Sequence, residues 1–169
     1  MIKEKSMKKA LALLGLVAGS AFAAEAPITG TVASKCVIVK DTPGIYGNPT
    51  PSVLSTTPAN GGIEPIIRFD VISADFYKAV ISYPTSFSSS PALSDVVNWT
   101  GSASVSEVTD AAMAAYDTDK REFNNVTEFD LTVAGTVWFK VSSQADYGAT
   151  KAFPGGEYTA VVSAECVAL

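Results

Sequence analysis

The chain has no histidine and only two cysteines in 169 residues, and only 17% of its residues are charged. Because histidine is the commonest general base and metal ligand, its absence disfavours many hydrolase mechanisms and zinc sites. Acidic residues outnumber basic ones by 17 to 12, which disfavours binding to nucleic acid or to anionic membranes. We therefore expect a protein that is not an enzyme and that needs no cofactor or metal.

The first 23 residues have the organisation of a secretory signal peptide. Four lysines precede an apolar stretch at residues 10–18, which is too short to span a bilayer as a mature helix. Small residues at Ala21 and Ala23 predict cleavage after Ala23, and a cut after Ala26 is the alternative. The mature chain, residues 24–169, carries 8 basic and 16 acidic residues and has the length of one domain.

Cys36 and Cys166 lie near the two ends of the mature chain. Two cysteines in an exported protein predict one disulfide bond. A bridge between them would close nearly the whole domain into a loop, which the chain-entropy model values at about 4–5 kcal/mol. Two buried free thiols and a bridge between subunits are the alternatives.

Alternation of apolar and polar residues with period two predicts short β-strands through most of the mature chain. The clearest alternating segments are residues 66–72, 77–83, 96–105, 128–133, 136–142 and 157–168. The first two of these could pair as a hairpin across a short turn. Proline confines any strand in the loop-rich stretch 45–65 to an edge or a bulge, with Val53 and Leu54 as a short edge strand.

Helical patterning is almost absent from the sequence. Only residues 109–116 qualify, with Thr109 or Asp110 as the N-cap of one or two turns. About 7–8 short strands separated by many turns are typical of a sandwich fold. The sequence therefore predicts an all-β fold, specifically an immunoglobulin-like β-sandwich.

The first mature segment, residues 24–39, alternates as a strand, but no hairpin signal joins it to its neighbour. One parity of this segment carries mostly apolar or small residues, namely Ile28, Gly30, Val32, Ser34, Cys36 and Ile38. Alternating large and small side chains suit a row of pockets, as in β-augmentation by an added strand. We interpret most of this strand as a segment that belongs in another molecule.

Several motifs have ordinary structural interpretations. Asp117, Asp119 and Glu122 lack the glycine and the third oxygen ligand of an EF-hand loop, so a solvated polar turn is favoured over a calcium site. The glycosylation sequons at Asn98 and Asn125 are short and common, and we treat both as coincidental.

Candidate catalytic side chains are equally unsupported. The serines of residues 86–90 have no histidine to activate them and do not lie in a nucleophile-elbow motif, so they predict a turn. Asp70, Asp75 and Asp95 could act as acid and base only if two of them met, and the sequence places no two together.

Five segments of the chain form a pattern that occurs in a known family. In chain order they are residues 28–34 (ITGTVAS), 76–83, 97–104, 120–123 and 155–163 (GGEYTAVVS). They resemble segments of chaperone–usher fimbrial pilins, most closely the major subunits of the alpha-class colonisation-factor type. The first is similar to the donor strand of those pilins, the last to their final strand, and the other three to internal strands or short polar segments. The cysteine pair departs from that class.

The resemblance implies a sandwich that lacks its own last strand. Residues 24–35 would be a donor arm, with Ile28, Gly30, Val32 and Ser34 as its inserted side chains, and residues 36–169 would be the pilin domain. The implied partners are a periplasmic chaperone, an outer-membrane usher, copies of the chain in a head-to-tail filament, and a host receptor reached through a tip subunit. The implied location is an extracellular cell-surface fimbria, reached through the periplasm, without membrane insertion of the mature chain.

A second hypothesis is a self-complete secreted sandwich that binds a glycan or a host or matrix partner. Exposed aromatic rings can stack on sugars, and the candidates are Trp99, Trp138, Tyr77 and Tyr83. The simpler interpretation is that both tryptophans pack in or against the sandwich.

Overall fold

The computed structural model describes residues 35–169, and these residues form ten strands. The strands are β1 (Cys36–Thr42), β2 (Gly47–Thr50), β3 (Val53–Ser55), β4 (Ile66–Val71), β5 (Tyr77–Ser82), β6 (Asn98–Val108), β7 (Arg121–Phe123), β8 (Val126–Asp130), β9 (Gly135–Asp146) and β10 (Ser163–Ala168). Helical structure is confined to 3-10 turns at Pro58–Asn60 and Ala111–Ala115 and to one α-helical turn, α1 (Tyr116–Asp119). The all-β prediction is confirmed.

The strands form two antiparallel sheets. The six-stranded sheet is built around β9, which pairs with β6 along one edge and with β4 and then β3 along the other. Beyond these, β1 pairs with β4 and β2 pairs with β3. The four-stranded sheet has the order β10-β5-β8-β7. As a result β1 lies at an edge of one sheet and β10 at an edge of the other.

The core lies between the two sheets and consists of the inward-facing residues of the strands. In β9 the residues Val137, Phe139 and Val141 are fully buried, as their alternation predicts. The Phe139 ring stacks on Phe129 of the opposite sheet at 4.2 Å between centroids and meets Phe69 edge-on at 5.5 Å. These contacts join the two sheets into a sandwich.

Three details of the predicted strand set are wrong. There are ten strands instead of 7–8, because the loop-like stretches around Gly47–Thr50 and Arg121–Phe123 also pair. The segments around Ile66–Val71 and Tyr77–Ser82 do not form a hairpin, since the connection between them crosses from one sheet to the other. The strand Val53–Ser55 is not an edge strand, because it pairs with β9 on one side and β2 on the other.

The predicted helical segment covers the outer edge of β6. Asp110 is the N-cap, and its carboxylate accepts a hydrogen bond from the backbone N–H of Ala112 at 2.8 Å. Farther along, the Asp117 carboxylate accepts from the N–H of Val105 at 2.9 Å, and the Lys120 ammonium donates to the carbonyl of Ala103 at 3.0 Å. These side chains satisfy backbone groups of an edge strand that would otherwise be open to pairing.

Candidate functional site

The two cysteines form a disulfide bond that joins β1 to β10, and therefore one sheet to the other. The Cα atoms of Cys36 and Cys166 are 6.2 Å apart, and 130 residues separate them in sequence. The bond lies within one chain, so the alternatives of free thiols and of an intersubunit bridge are not what the structure contains. It ties together two edge strands at one end of the sandwich.

Away from the disulfide, the two edges enclose an open groove with a cavity volume of about 890 Å³. One wall is formed by β1 and the chain that follows it, up to Tyr46. The other wall is formed by residues 156–162 and the start of β10. The floor is contributed mainly by Leu54, Ile66 and Ile67. Since Cys36 and Cys166 hold the walls together, residues 44–46 and 156–158 mark the far, open end.

The wall beside β10 is extended chain with little pairing of its own. The predicted strand at residues 157–168 forms a ladder only from Ser163 onward. Before that point, among the described residues, its only β-bridge joins Thr159 to Ser89. The Ser88 hydroxyl also donates to the Thr159 carbonyl at 3.1 Å. The serine-rich turn therefore braces the groove wall, a role that its sequence did not indicate.

Both walls direct backbone hydrogen-bonding groups into the groove. The carbonyl of Lys35 accepts from the N–H of Ile72 at 3.1 Å, so the odd-numbered residues of β1 bond to β4. Because bonding alternates along an antiparallel strand, Ile38 turns its N–H and C=O toward the groove.

The same alternation applies to the opposite wall. The N–H of Leu169 donates to Phe76, and Thr159 exchanges bonds with Ser89, so the odd-numbered residues bond away from the groove. The N–H and C=O groups of Val162 and Ala164 therefore point into it. Two strand edges with outward backbone groups, one on each side, are what an added strand requires.

The spacing of the walls defines where such a strand would have to stop. A strand paired on both sides needs its two neighbours about 9.6 Å apart, twice the usual interstrand distance. At the disulfide the Cα atoms are only 6.2 Å apart, so no strand fits between Cys36 and Cys166. The groove is therefore closed at the disulfide end and is entered from the other end.

The side chains on the walls are mostly apolar and small. Ile38, Val162 and Ala164 are half-buried and pack against the sandwich core from its open side. All of residues 156–162 line the groove, and the even-numbered residues Tyr158, Ala160 and Val162 are more buried than the odd-numbered residues between them. A side chain entering between the sheets would meet these groups and the buried Ile67, and it would remove further apolar surface from water.

An aromatic cluster stands at the open end of the groove. The Phe87 ring contacts Trp99 at 4.7 Å, Tyr158 at 5.1 Å, Phe153 at 6.0 Å and Tyr46 at 6.4 Å, all edge-to-face. The hydroxyl of Tyr46 bonds to that of Ser143 at 2.9 Å, and burial raises the pKa of Tyr46 above its usual value. The cluster holds the loop that carries Phe87 against both groove walls.

The four aromatic residues considered for sugar binding are not freely exposed. Trp99 is half-buried in the aromatic cluster, and Trp138 is half-buried on the outer side of β9. Tyr77 packs against the core, and Tyr83 is buried with its hydroxyl bonded to Thr127. The sugar-binding hypothesis needs Trp99 and Tyr77 to be exposed, but both side chains are in packing contacts.

Two of the three acidic residues considered for catalysis, Asp70 and Asp95, have structural partners. Asp70 bonds to Arg68 and to the hydroxyl of Thr136, and Asp95 bonds to Lys151. These contacts place Asp70 and Asp95 in separate ion pairs. Within the described part of the chain, no group of three or more His, Cys, Asp or Glu residues could hold a metal ion.

The predicted donor-strand residues Ile28, Gly30, Val32 and Ser34 lie outside the residues that the structure describes, as does the predicted signal peptide. Comparison with family models, with curated proteins and with solved structures finds no match to this chain. Across residues 35–169, none of the helices is long and apolar enough to cross a membrane.

Proposed function

We propose that this protein is the structural subunit of a bacterial surface filament, assembled when residues 24–35 of one copy insert as a strand into the groove of the next. The observation that supports this most is the groove itself. Its two walls are edges of different sheets, both present backbone groups inward, and the disulfide closes one end. A head-to-tail insertion of this kind is heterologous, so it propagates into a filament.

The entry of the chain into β1 favours insertion into another copy over insertion into the same copy. Lys35 is already paired to Ile72 at the closed end of the groove. To fill its own groove, the preceding chain would have to reverse direction before Cys36, beside the disulfide. Reaching a second molecule requires no such reversal, because an arm that kept the direction of β1 would lead away from its own groove.

The composition of residues 24–35 suits the groove. Its alternate residues Ile28, Gly30, Val32 and Ser34 would face a floor and walls built from apolar or small side chains. Each wall spans nine residues, from Ile38 to Tyr46 on one side and from Gly156 to Ala164 on the other, and a nine-residue strand is about 30 Å long. The twelve-residue arm reaches about 40 Å when extended, so it can fill the groove with some chain left over.

Until the arm of another copy arrives, an empty groove would be unstable and adhesive. A periplasmic chaperone that lends a strand, and an outer-membrane usher at which the strands are exchanged, would meet this need. The subunit would then support adhesion from an extracellular fimbria, with any host receptor contacted through a tip subunit.

Two variants test the proposal. Deletion of residues 24–34 removes the inserted strand. Val162→Arg places a long, charged side chain in the groove and leaves the sequence of the arm unchanged. Both should abolish filaments in negative-stain images of secreted material. Because Val162 is only half-buried, the substitution should leave the folded domain close to wild-type stability.

The matched control is Glu165→Arg, three residues away on an exposed position of the same segment. This variant should assemble normally. Filaments built by the deletion variant would contradict the proposal. A wild-type protein that is monomeric when purified, with residues 24–35 paired in its own sheet, would favour the self-complete binding sandwich.

A further inference from the structure

Two pairs of large apolar side chains are exposed at opposite ends of the groove. Ile72 and Phe76, which we call the base patch, are 57% and 58% exposed and lie in the connection between β4 and β5 at the closed end. Ile45 and Ile63, which we call the lip, are 55% and 44% exposed and lie beyond the end of β1. Exposed apolar residues paired in this way mark an interaction surface more often than isolated ones do.

The base patch lies where the chain enters the domain. The N–H of Ile72 donates to the Lys35 carbonyl at 3.1 Å, so Ile72 is beside the last residue of the arm. Phe76 is tied to the end of β10 through its carbonyl, which accepts from the N–H of Leu169. Both side chains therefore stand next to the disulfide, at the base of any arm that leaves the domain.

The lip lies where an inserted strand would emerge. Ile45 and Ile63 exchange two backbone hydrogen bonds of 2.9 and 2.8 Å, which fixes the two residues directly opposite each other. Ile45 is itself part of the groove wall at the open end. A strand in the groove must therefore pass Ile45 on its way out to its own domain.

The length of the arm brings these two surfaces together. About nine of the twelve residues of the arm fill the groove, so at most three residues, about 10 Å of chain, can lie between the groove and the domain of the donor copy. The disulfide blocks entry from the closed end, so the chain that leads to Lys35 leaves at the lip. Lys35 of the donor copy, and with it the base patch, must then lie within about 10 Å of the lip of the acceptor copy.

We propose that the base patch of each copy packs against the lip of the next, so that an apolar contact between domains accompanies strand insertion. The occupant of both patches is a second copy of this chain. The inference rests on the proposed insertion of the arm, but it concerns surfaces outside the groove. It assigns Ile72, Phe76, Ile45 and Ile63 to a contact that makes the joint between consecutive domains stiff.

Photo-crosslinking tests the contact directly. Full-length protein with benzoylphenylalanine at Phe76 is assembled as an equal mixture of unlabelled and nitrogen-15-labelled copies and irradiated. Mass spectrometry should find crosslinks from residue 76 of one copy to residues 43–47 or 61–65 of a differently labelled copy. The same probe at Trp138, on the outer side of β9, is the matched control and should give no such crosslink.

A double variant tests the energetic importance of the contact. Ile72→Ser with Phe76→Ser should still assemble through the arm, but the filaments should release subunits at least about tenfold faster in urea. The matched control is Val96→Ser with Phe123→Ser, which removes two side chains that are 76% and 75% exposed elsewhere. The control filaments should dissociate at the wild-type rate.

The outcomes separate this inference from the proposed function. If wild-type filaments form and an arm probe crosslinks to the groove, but the Phe76 probe reaches only other surfaces, the contact is wrong and strand insertion stands. Equal dissociation rates for the two double variants would also overturn the contact. If the arm probe never reaches the groove of another copy, both proposals fail together.

Discussion

The centre of the six-stranded sheet differs from the groove between β1 and β10 in how its strands are paired and how deeply its side chains are buried. β9 is paired along both edges, and its inward side chains Val137, Phe139 and Val141 are fully buried. Among the described residues, each strand at the groove is paired along one edge only, and Ile38 and Val162 remain half-exposed. The apolar packing is therefore concentrated on the β9 side, whereas the groove side has the strand edges that the proposed insertion would use.

The largest effect on the free energy of unfolding is expected in β9, at the centre of the six-stranded sheet. Phe139→Ala would remove a ring in contact with Phe69 and Phe129, and such truncations cost about 3–5 kcal/mol. Urea unfolding followed by circular dichroism should show this loss. Lys140→Ala, the exposed neighbour on the same strand, is the control and should change the unfolding free energy little. A small cost at Phe139 would mean that β9 is not the energetic centre.

The second largest effect on stability is expected at the disulfide, which closes one end of the groove. Replacing Cys36 and Cys166 together by serine should lower the free energy of unfolding by about 2–5 kcal/mol, because the bond restricts a loop of 130 residues in the unfolded chain. Urea denaturation of the oxidised wild type, the reduced wild type and the double variant measures it. The reduced wild type should behave like the variant. If reduction has no effect, the two edges are held at this end by packing alone.

The smallest effect on stability is expected for an ion pair on the outer face of the four-stranded sheet. The Arg121 guanidinium bonds to Asp130 at 2.7 and 2.9 Å and lowers the pKa of that carboxyl below its usual value. A lowered folded-state pKa stabilises the fold above the unfolded value near 3.9, and this stabilisation is lost as pH falls through the folded value.

Because this pair is exposed, Asp130→Asn should lower the urea midpoint at pH 7 only slightly. At a pH low enough to protonate the wild-type carboxyl, the variant and the wild type should have similar midpoints. Glu107→Gln, which removes an exposed carboxylate from β6, is the control for a general change in net charge. A difference between Asp130→Asn and wild type that grows on acidification would contradict this assignment.

Much of the sandwich could be predicted because its strands alternate cleanly. Period two in residues 128–133 and 136–142 predicts one inward face, and Phe129, Leu131, Val137, Phe139 and Val141 on that face are buried. Val133, on the same face, is only half-buried. Alternation reports which face of a strand is buried, but it carries no information on which strands are neighbours. For that reason the hairpin between the segments at residues 66–72 and 77–83 was predicted wrongly.

The groove could be predicted only in part. The Cys36–Cys166 bond was predicted from the sequence, and it is present. The absence of a ladder at residues 157–162 was not visible, because an unpaired extended segment alternates in the same way as a strand. The aromatic cluster around Phe87 was also missed, since its members come from parts of the chain that are far apart in sequence, from Tyr46 to Tyr158.

The most direct test of the central claim is a photo-crosslink from the arm. Full-length protein with benzoylphenylalanine at Val32 would be assembled from unlabelled and nitrogen-15-labelled copies, irradiated and analysed by mass spectrometry. The proposed insertion predicts crosslinks to residues 38–46 or 156–164 of a differently labelled copy. Crosslinks confined to the same copy, or to surfaces away from these two walls, would contradict it.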